Sequence, residues 1–229
     1  MTEPNARGGP PSLDLVAFDM DGTLVDVESS WAEVHHYFHD SNERALQAFL
    51  HDEIDDEEFA RRDVALWRTH EPDMGVRHLR KILDRVPLMP GAPELLRALK
   101  ERSVTTAIVS GGIDVLAERL GRTLGIDVVL SNGFETDRAG RLLSPRIRVP
   151  IKGKEGVLRA LQARLGVLPE RTASVGNSEI DVGLFRASRL GVAFCPEDAQ
   201  VRAYASHVVE ERDLRRVIPL LLGSAPGTG

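Results

Sequence analysis

Short apolar runs alternate with amphipathic stretches through most of this chain. The runs are Leu13–Phe18, Thr105–Val109, Val128–Leu130, Thr172–Val175, Gly191–Cys195 and His207–Val209. Several are rich in Val and Ile and too short to be helices, so they predict buried parallel strands. The intervening segments carry helical periodicity. In Ala92–Arg102, Leu95, Leu96 and Leu99 share one face, with Pro90 and Pro93 near the start. In Glu155–Leu165 the apolar positions are Val157, Leu158, Leu161 and Leu165. Strands alternating with helices predict a doubly wound α/β fold with a parallel sheet and right-handed crossovers.

One region breaks this rhythm. Between Val27 and Val86 only charged amphipathic stretches occur: Ser29–His51, Asp55–Thr69 and Asp73–Asp84. About sixty residues are too many for a loop, so a small helical cap inserted after the first strand is expected. A shorter departure, Phe134–Val149, predicts a hairpin turning at Asp137-Arg138-Ala139-Gly140. The expected layout is a disordered tail at 1–12, a core made of 13–26 and 87–222, a cap at 27–86, and a flexible tail at 223–229.

Composition narrows the class. The chain has 229 residues, 42% hydrophobic and 28% charged, with a net charge of -6. That is the composition of an ordinary globular protein, and interleaved charges give no nucleic-acid-binding face. No apolar run approaches the ~20 residues that cross a bilayer, and residues 1–12 lack an apolar signal region, so no membrane partner and a cytoplasmic location are expected. The single cysteine, Cys195, excludes an internal disulfide and reads as a packed strand residue. His35 and His36 have no Cys or Glu partner at metal spacing and read as ordinary helix residues. Nothing in these patterns encodes an oligomeric state.

Open α/β sheets bind ligands beyond the carboxyl ends of their strands, so the residues after each run are the candidates for chemistry. They are Asp19-Met20-Asp21-Gly22-Thr23, Ser110-Gly111-Gly112 and Gly176-Asn177-Ser178-Glu179-Ile180-Asp181. Each alone is an ordinary turn or cap. Together they gather carboxylates, a hydroxyl, glycines and an amide at one edge, with Lys152 or Lys154 in reach. Two carboxylates two residues apart suit a hard cation such as Mg²⁺. Asp19 is expected to be a carboxylate nucleophile forming an aspartyl phosphate, and Asp21 the general acid and base. Thr23, Ser110 and Gly111 are expected to steady the site and hold phosphate oxygens, while a lysine, Lys152 or Lys154, offsets their charge.

These motifs resemble those of the haloacid dehalogenase superfamily of phosphatases, and within it the phosphoserine phosphatase-like branch. The resemblance spans nearly the whole chain between the tails. Asp19-Met20-Asp21-Gly22-Thr23 resembles the first motif, Ser110 the second and Lys154 the third. Asp21 favours phosphatase over dehalogenase chemistry. The resemblance implies Mg²⁺ held by Asp19, Asp21, Asn177 and Asp181, with a small phosphorylated metabolite as substrate. Two positions depart from the family pattern. Asn177 stands where the fourth motif has a metal-binding aspartate, which implies weaker metal binding. Glu28 matches a glutamate that reads a substrate amino group, but Asp63 falls where a cap arginine would read a carboxylate, unless a shift of register brings in Arg61 or Arg62. Glu28, Trp31 and Asp63 are the expected cap-side contacts. A phosphotransferase passing phosphate to an alcohol, or a weakened phosphometabolite-binding protein, are the alternative readings.

Overall fold

The computed structural model describes residues 12–223; of the tails expected at 1–12 and 223–229, all but Ser12 and Gly223 lie outside them. Seven strands form one sheet: β1 (Leu15–Phe18), β2 (Thr105–Ile113), β3 (Val128–Thr136), β4 (Leu142–Arg146), β5 (Thr172–Gly176), β6 (Leu190–Phe194) and β7 (His207–Val209). Their order is β4-β3-β2-β1-β5-β6-β7, parallel except where β3 and β4 make the antiparallel hairpin. This is the doubly wound α/β sheet that the alternating runs predict. β1 is buried along its whole length, as a strand covered by helices on both faces must be.

The chain winds outward from β1 in both directions, through β2 on one side and β5 on the other. That reversal opens a crevice at the carboxyl ends of these three strands. Register brings their ends level: Phe18 pairs with Ile108 of β2 and with Val175 of β5. Asp19 therefore leaves the sheet beside Ser110 and Asn177.

Residues 30–83 contain four helices: α1 (Ser30–Tyr37), α2 (Glu43–Leu50), α3 (Asp56–His70) and α4 (Val76–Leu83). Asp55 caps α3 through a 2.8 Å bond from the Glu58 amide, with Asp56, Glu57 and Glu58 in the first turn to complement the helix dipole. The chain enters and leaves this region side by side, through Asp26 N–H to Pro87 O and Met89 N–H to Leu24 O. Val34, Val64, Trp67, Leu79 and Leu83 bury into the same apolar cluster as Phe18, Ile108 and Phe134. The hairpin tip adds a clasp, Val76 N–H to Gly140 O and Leu142 N–H to Met74 O. On the sheet side, α5 (Ala92–Glu101), α6 (Asp114–Leu124) and α7 (Lys154–Leu165) supply the main crossover helices.

Cys195 differs from its expected place. β6 ends at Phe194, and Cys195 turns the chain with a left-handed φ of 44°. The thiol is half-buried, lies 3.6 Å from Glu210 O and packs against the main core cluster, so the residue is packed as expected but sits just past the strand.

Candidate active site

The floor of the site is built by the turn after β1. Asp19 N–H still pairs with Val175 O, which fixes the first carboxylate to the sheet. Gly22 then takes a left-handed φ of 69°, and a side chain there would strike Asn177 Nδ2 at 2.3 Å. Only glycine allows the turn and the fourth motif to lie so close. Opposite, pairing between β2 and β3 is interrupted between Val109 and Ile113, which frees Ser110-Gly111-Gly112 to bulge toward the cleft. A Cβ on Gly112 would fall 2.8 Å from both Asp21 Oδ2 and Ser30 Oγ, so this glycine permits the approach of the two loops.

Lys154, the first residue of α7, is 1% exposed, and its ammonium donates to Asp19 Oδ1 at 2.6 Å and Asp181 Oδ1 at 2.7 Å. Burial alone would lower its pKa, but Asp181 and Asp19 hold it above the ordinary lysine range. Asp181 is pushed up to about 6, by burial first and by the Asp19 charge second, against the pull of Lys154. Its second oxygen accepts from the Asn177 and Ser178 amides at 2.9 and 3.2 Å. Asp21 is pushed up to about 7, chiefly by burial, with Asp19 adding to it and the Ser30 bonds opposing. Ser30 N–H and Oγ both donate to Asp21 Oδ2 at 2.8 Å. Asp21 Oδ1, shut off from solvent, has no hydrogen-bond partner among the described residues.

That orphaned oxygen is the observation that fits a cation. A carboxylate oxygen only accepts, so a buried one without a donor calls for a metal or a proton. Asp19 and Asn177 line the same cleft as Asp21, and their side-chain oxygens are of the hard kind that Mg²⁺ takes. Asp181, expected among the ligands, has both oxygens committed to Lys154 and to backbone amides, which makes it an anchor for Lys154. No cluster of three or more His, Cys, Asp or Glu side chains with metal-site geometry occurs among the described residues, and it is Asn177 that completes the set.

Above the floor lies a cleft of about 440 Å³ walled by the helices of residues 30–83. The haloacid dehalogenase-like hydrolase family model matches residues 16–186 of the chain. The chain belongs to this family. A phosphoserine phosphatase from Wolinella succinogenes is 30% identical over 210 residues, covering 90% of this chain and 98% of that protein. A HAD family hydrolase from Salmonella enterica serovar Typhi superposes with a TM-score of 0.82 at 22% identity, over 94% of this chain and 74% of that one. A substrate-bound phosphoserine phosphatase superposes with a TM-score of 0.77 at 24% identity, over 92% of this chain and 99% of that one. At such identities the superpositions speak for the fold.

Within this hydrolase, several expected residues line the cleft and others do not. Asp19, Asp21, Ser110, Gly111, Lys154 and Asn177 line it. Thr23 does not: it is fully buried and its hydroxyl donates to Asn177 Oδ1 at 3.4 Å, so it braces the amide instead of holding phosphate. Lys152 is exposed, does not line the cleft and pairs with Asp52 in the turn between α2 and α3. Glu28 faces the cleft with no hydrogen-bond or ion-pair partner among the described residues. Trp31 spends its indole N–H on Gly111 O at 3.0 Å and stacks on Trp67 at 5.5 Å, so it offers a flat wall.

Asp63 is 2% exposed and accepts from His35 Nε2 at 3.0 Å and Asn42 Nδ2 at 2.7 Å. Trp67 Nε1, which only donates, points at His35 Nδ1 at 3.3 Å. The facing nitrogen must therefore accept, Nε2 carries the hydrogen that Asp63 receives, and a ring in that tautomer brings no charge. His35 is thus more than an ordinary helix residue. Arg61 and Arg62 point outward to Glu57 and Glu58, so no shift of register brings an arginine into the cleft. The residues missed from sequence are Ser30, His35, Asn42, Glu197 and Asn132, whose amide braces Gly111 O and Val149 O at 3.1 and 3.0 Å. All act across long sequence separations, and no local pattern marks them.

Proposed function

We propose that this enzyme is a magnesium-dependent phosphatase that hydrolyses a small phosphomonoester through an aspartyl phosphate on Asp19. The observation that carries the reading is the division of the floor: Lys154 ties down Asp19 Oδ1 at 2.6 Å, while no hydrogen bond among the described residues occupies Oδ2. Asp19 Oδ2 attacks phosphorus while the ester P–O bond breaks. Asp21, pushed up to about 7, gives its proton to the leaving oxygen. In the second half Asp21 takes a proton from water, the water oxygen attacks phosphorus, and the bond to Asp19 breaks to free phosphate. Ser110 and Lys154 line the place where phosphoryl oxygens would lie. Asp19 and Asn177 would hold Mg²⁺, joined by Asp21 Oδ1 when that carboxyl carries no proton, and the ion would supply charge neutralisation for the transferring group. The wall of residues 30–83 would keep bulk water away from the acyl phosphate.

The cap side bears on the substrate. Glu28, Asp40, Asp56 and Asp63 line the cleft, while its only lysine or arginine among the described residues is Lys154, already shared by two carboxylates. A substrate carboxylate would meet like charge there, so phosphomonoesters without one are the preferred class. Phosphoserine, the substrate named by the relatives, carries both an amine and a carboxylate and ranks below its decarboxylated analogue, phosphoethanolamine. The test is phosphate release from a panel of both kinds of ester, with Mg²⁺ or with EDTA, by wild type and Asp19→Asn. Metal-dependent release that disappears in the variant is expected. Release undiminished in Asp19→Asn, or none from any ester, would overturn the reading.

A further inference from the structure

Asn177 is the weak point of the candidate metal site, because an amide brings an oxygen without a charge and can present either of its two ends. Its surroundings answer both problems through one residue. Asn177 Nδ2 donates to Glu197 Oε1 at 2.9 Å. A carboxylate only accepts, so the amide nitrogen must face Glu197 and Oδ1 must face the other way, where it accepts from the Thr23 hydroxyl at 3.4 Å. The pair is closed by a second bond, Glu197 N–H to Asn177 O at 2.8 Å. This backbone contact sets Glu197 beside the amide before its side chain bonds, so little rotamer freedom is lost in the interaction. The Asn177 N–H is held by Asp181 Oδ2 at 2.9 Å, which fixes the residue from a third side.

We propose that Glu197 is the positioning residue of the metal site, aiming the Asn177 oxygen at the cation and returning, one hydrogen bond away, the negative charge that an amide lacks. The inference rests on the Mg²⁺ reading under Proposed function. Outer partners of metal ligands act in this way: they set ligand orientation and basicity, and their loss costs about 10–100-fold in affinity. Glu197 stands at the exposed rim, where solvent screens its charge, so the lower end of that range applies. No cation among the described residues pairs with Glu197, so its charge remains available to the site.

The test measures Mg²⁺ binding to the substrate-free enzyme by calorimetry, alongside the thermal midpoint with and without Mg²⁺. Glu197→Gln keeps an oxygen that can accept from Asn177 Nδ2 and removes the charge. Glu197→Ala removes both. Glu28→Gln removes a neighbouring cleft carboxylate while leaving the Asn177 bond intact. The expected result is a loss of about tenfold in Mg²⁺ affinity for Glu197→Gln, a larger loss for Glu197→Ala and less than about twofold for Glu28→Gln. Midpoints without metal should match wild type, with the Mg²⁺-induced rise reduced in both Glu197 variants. Affinity within twofold of wild type in both folded Glu197 variants would overturn the proposal, as would an equal loss in Glu28→Gln. Absence of saturable Mg²⁺ binding by wild type would sink the metal reading itself, a result distinct from bound metal indifferent to Glu197.

Discussion

The floor and the roof of the cleft are both acidic, but their carboxylates are held in different ways. On the floor one buried lysine is shared between Asp19 and Asp181, while Asp21 keeps an oxygen that has no hydrogen-bond partner among the described residues. On the roof Asp63 is held by the neutral donors of His35 and Asn42, Asp56 accepts from the Ile151 amide, and Glu28 has no partner among the described residues. Neutral donors fix a carboxylate without cancelling it. On the proposed reading the floor would receive a cation and a phosphoryl group, while the roof fixes its carboxylates without cancelling their charge. The comparison assigns reaction to one wall and choice of substrate to the other.

The largest effect should come from the floor. Asp19→Asn should lower single-turnover phosphate release by more than about a thousandfold, as loss of a nucleophile does. Asp63→Asn, which keeps an acceptor for His35 and Asn42, should leave turnover of carboxylate-free esters within about threefold. If the two variants lost activity equally, the division of labour between the walls would fail.

Asp21 sharpens the contrast through pH. Its pKa is raised from 3.8 to about 7 in the folded chain, so the folded state holds this proton more tightly than the unfolded one. Its contribution to stability is therefore present below pH 4 and is lost as pH rises through 7. In EDTA, Asp21→Asn should gain stability over wild type between pH 4 and 8, with a ceiling of about 4 kcal/mol set by the shift. Denaturant midpoints across that range measure it, and a constant difference would mean that Asp21 is not held protonated. Added Mg²⁺ should shrink the wild-type deficit at pH 8.

The roof should respond more gently. Asp63→Asn should raise the ratio of kcat/KM for phosphoserine over phosphoethanolamine by about tenfold, the scale of one like-charge contact removed. An unchanged ratio would mean that Asp63, though in the cleft wall, is too well covered to be felt by substrate.

Legibility in the sequence divides along the same line. The strands could be read because short Val- and Ile-rich runs have few alternatives, and the floor because its groups sit at strand ends, where topology fixes their meeting. The roof was less legible. Its key contacts, His35 with Asp63 and Trp67, join α1 to α3 across separations of 28 and 32 residues, and no periodicity encodes such pairing. Thr23 shows the limit even within a motif, since position alone does not say whether a hydroxyl faces the cleft or the packing behind it. Cys195 shows it at a strand end, where one left-handed residue sits just past the strand.

The smallest expected effect separates two lysines that the sequence alone could not rank. Lys154 and Lys152 are two residues apart, yet one is buried on the floor and the other reaches Asp52 in solvent, outside the cleft lining. Exposed ion pairs contribute between 0 and about 1 kcal/mol, so Lys152→Ala should move stability by less than about 0.5 kcal/mol and kcat by less than about twofold. Lys154→Ala would leave Asp19 and Asp181 facing each other without a cation, and removing one partner of a buried pair costs about 3–5 kcal/mol. Salt gives an internal check, because 0.5 M NaCl should erase whatever Lys152 contributes and leave the Lys154 deficit nearly intact. If Lys152→Ala instead lowered kcat severalfold at every salt concentration, the contact between residue 152 and Asp52 would bear on the chemistry, and the line between floor and roof would have to be redrawn.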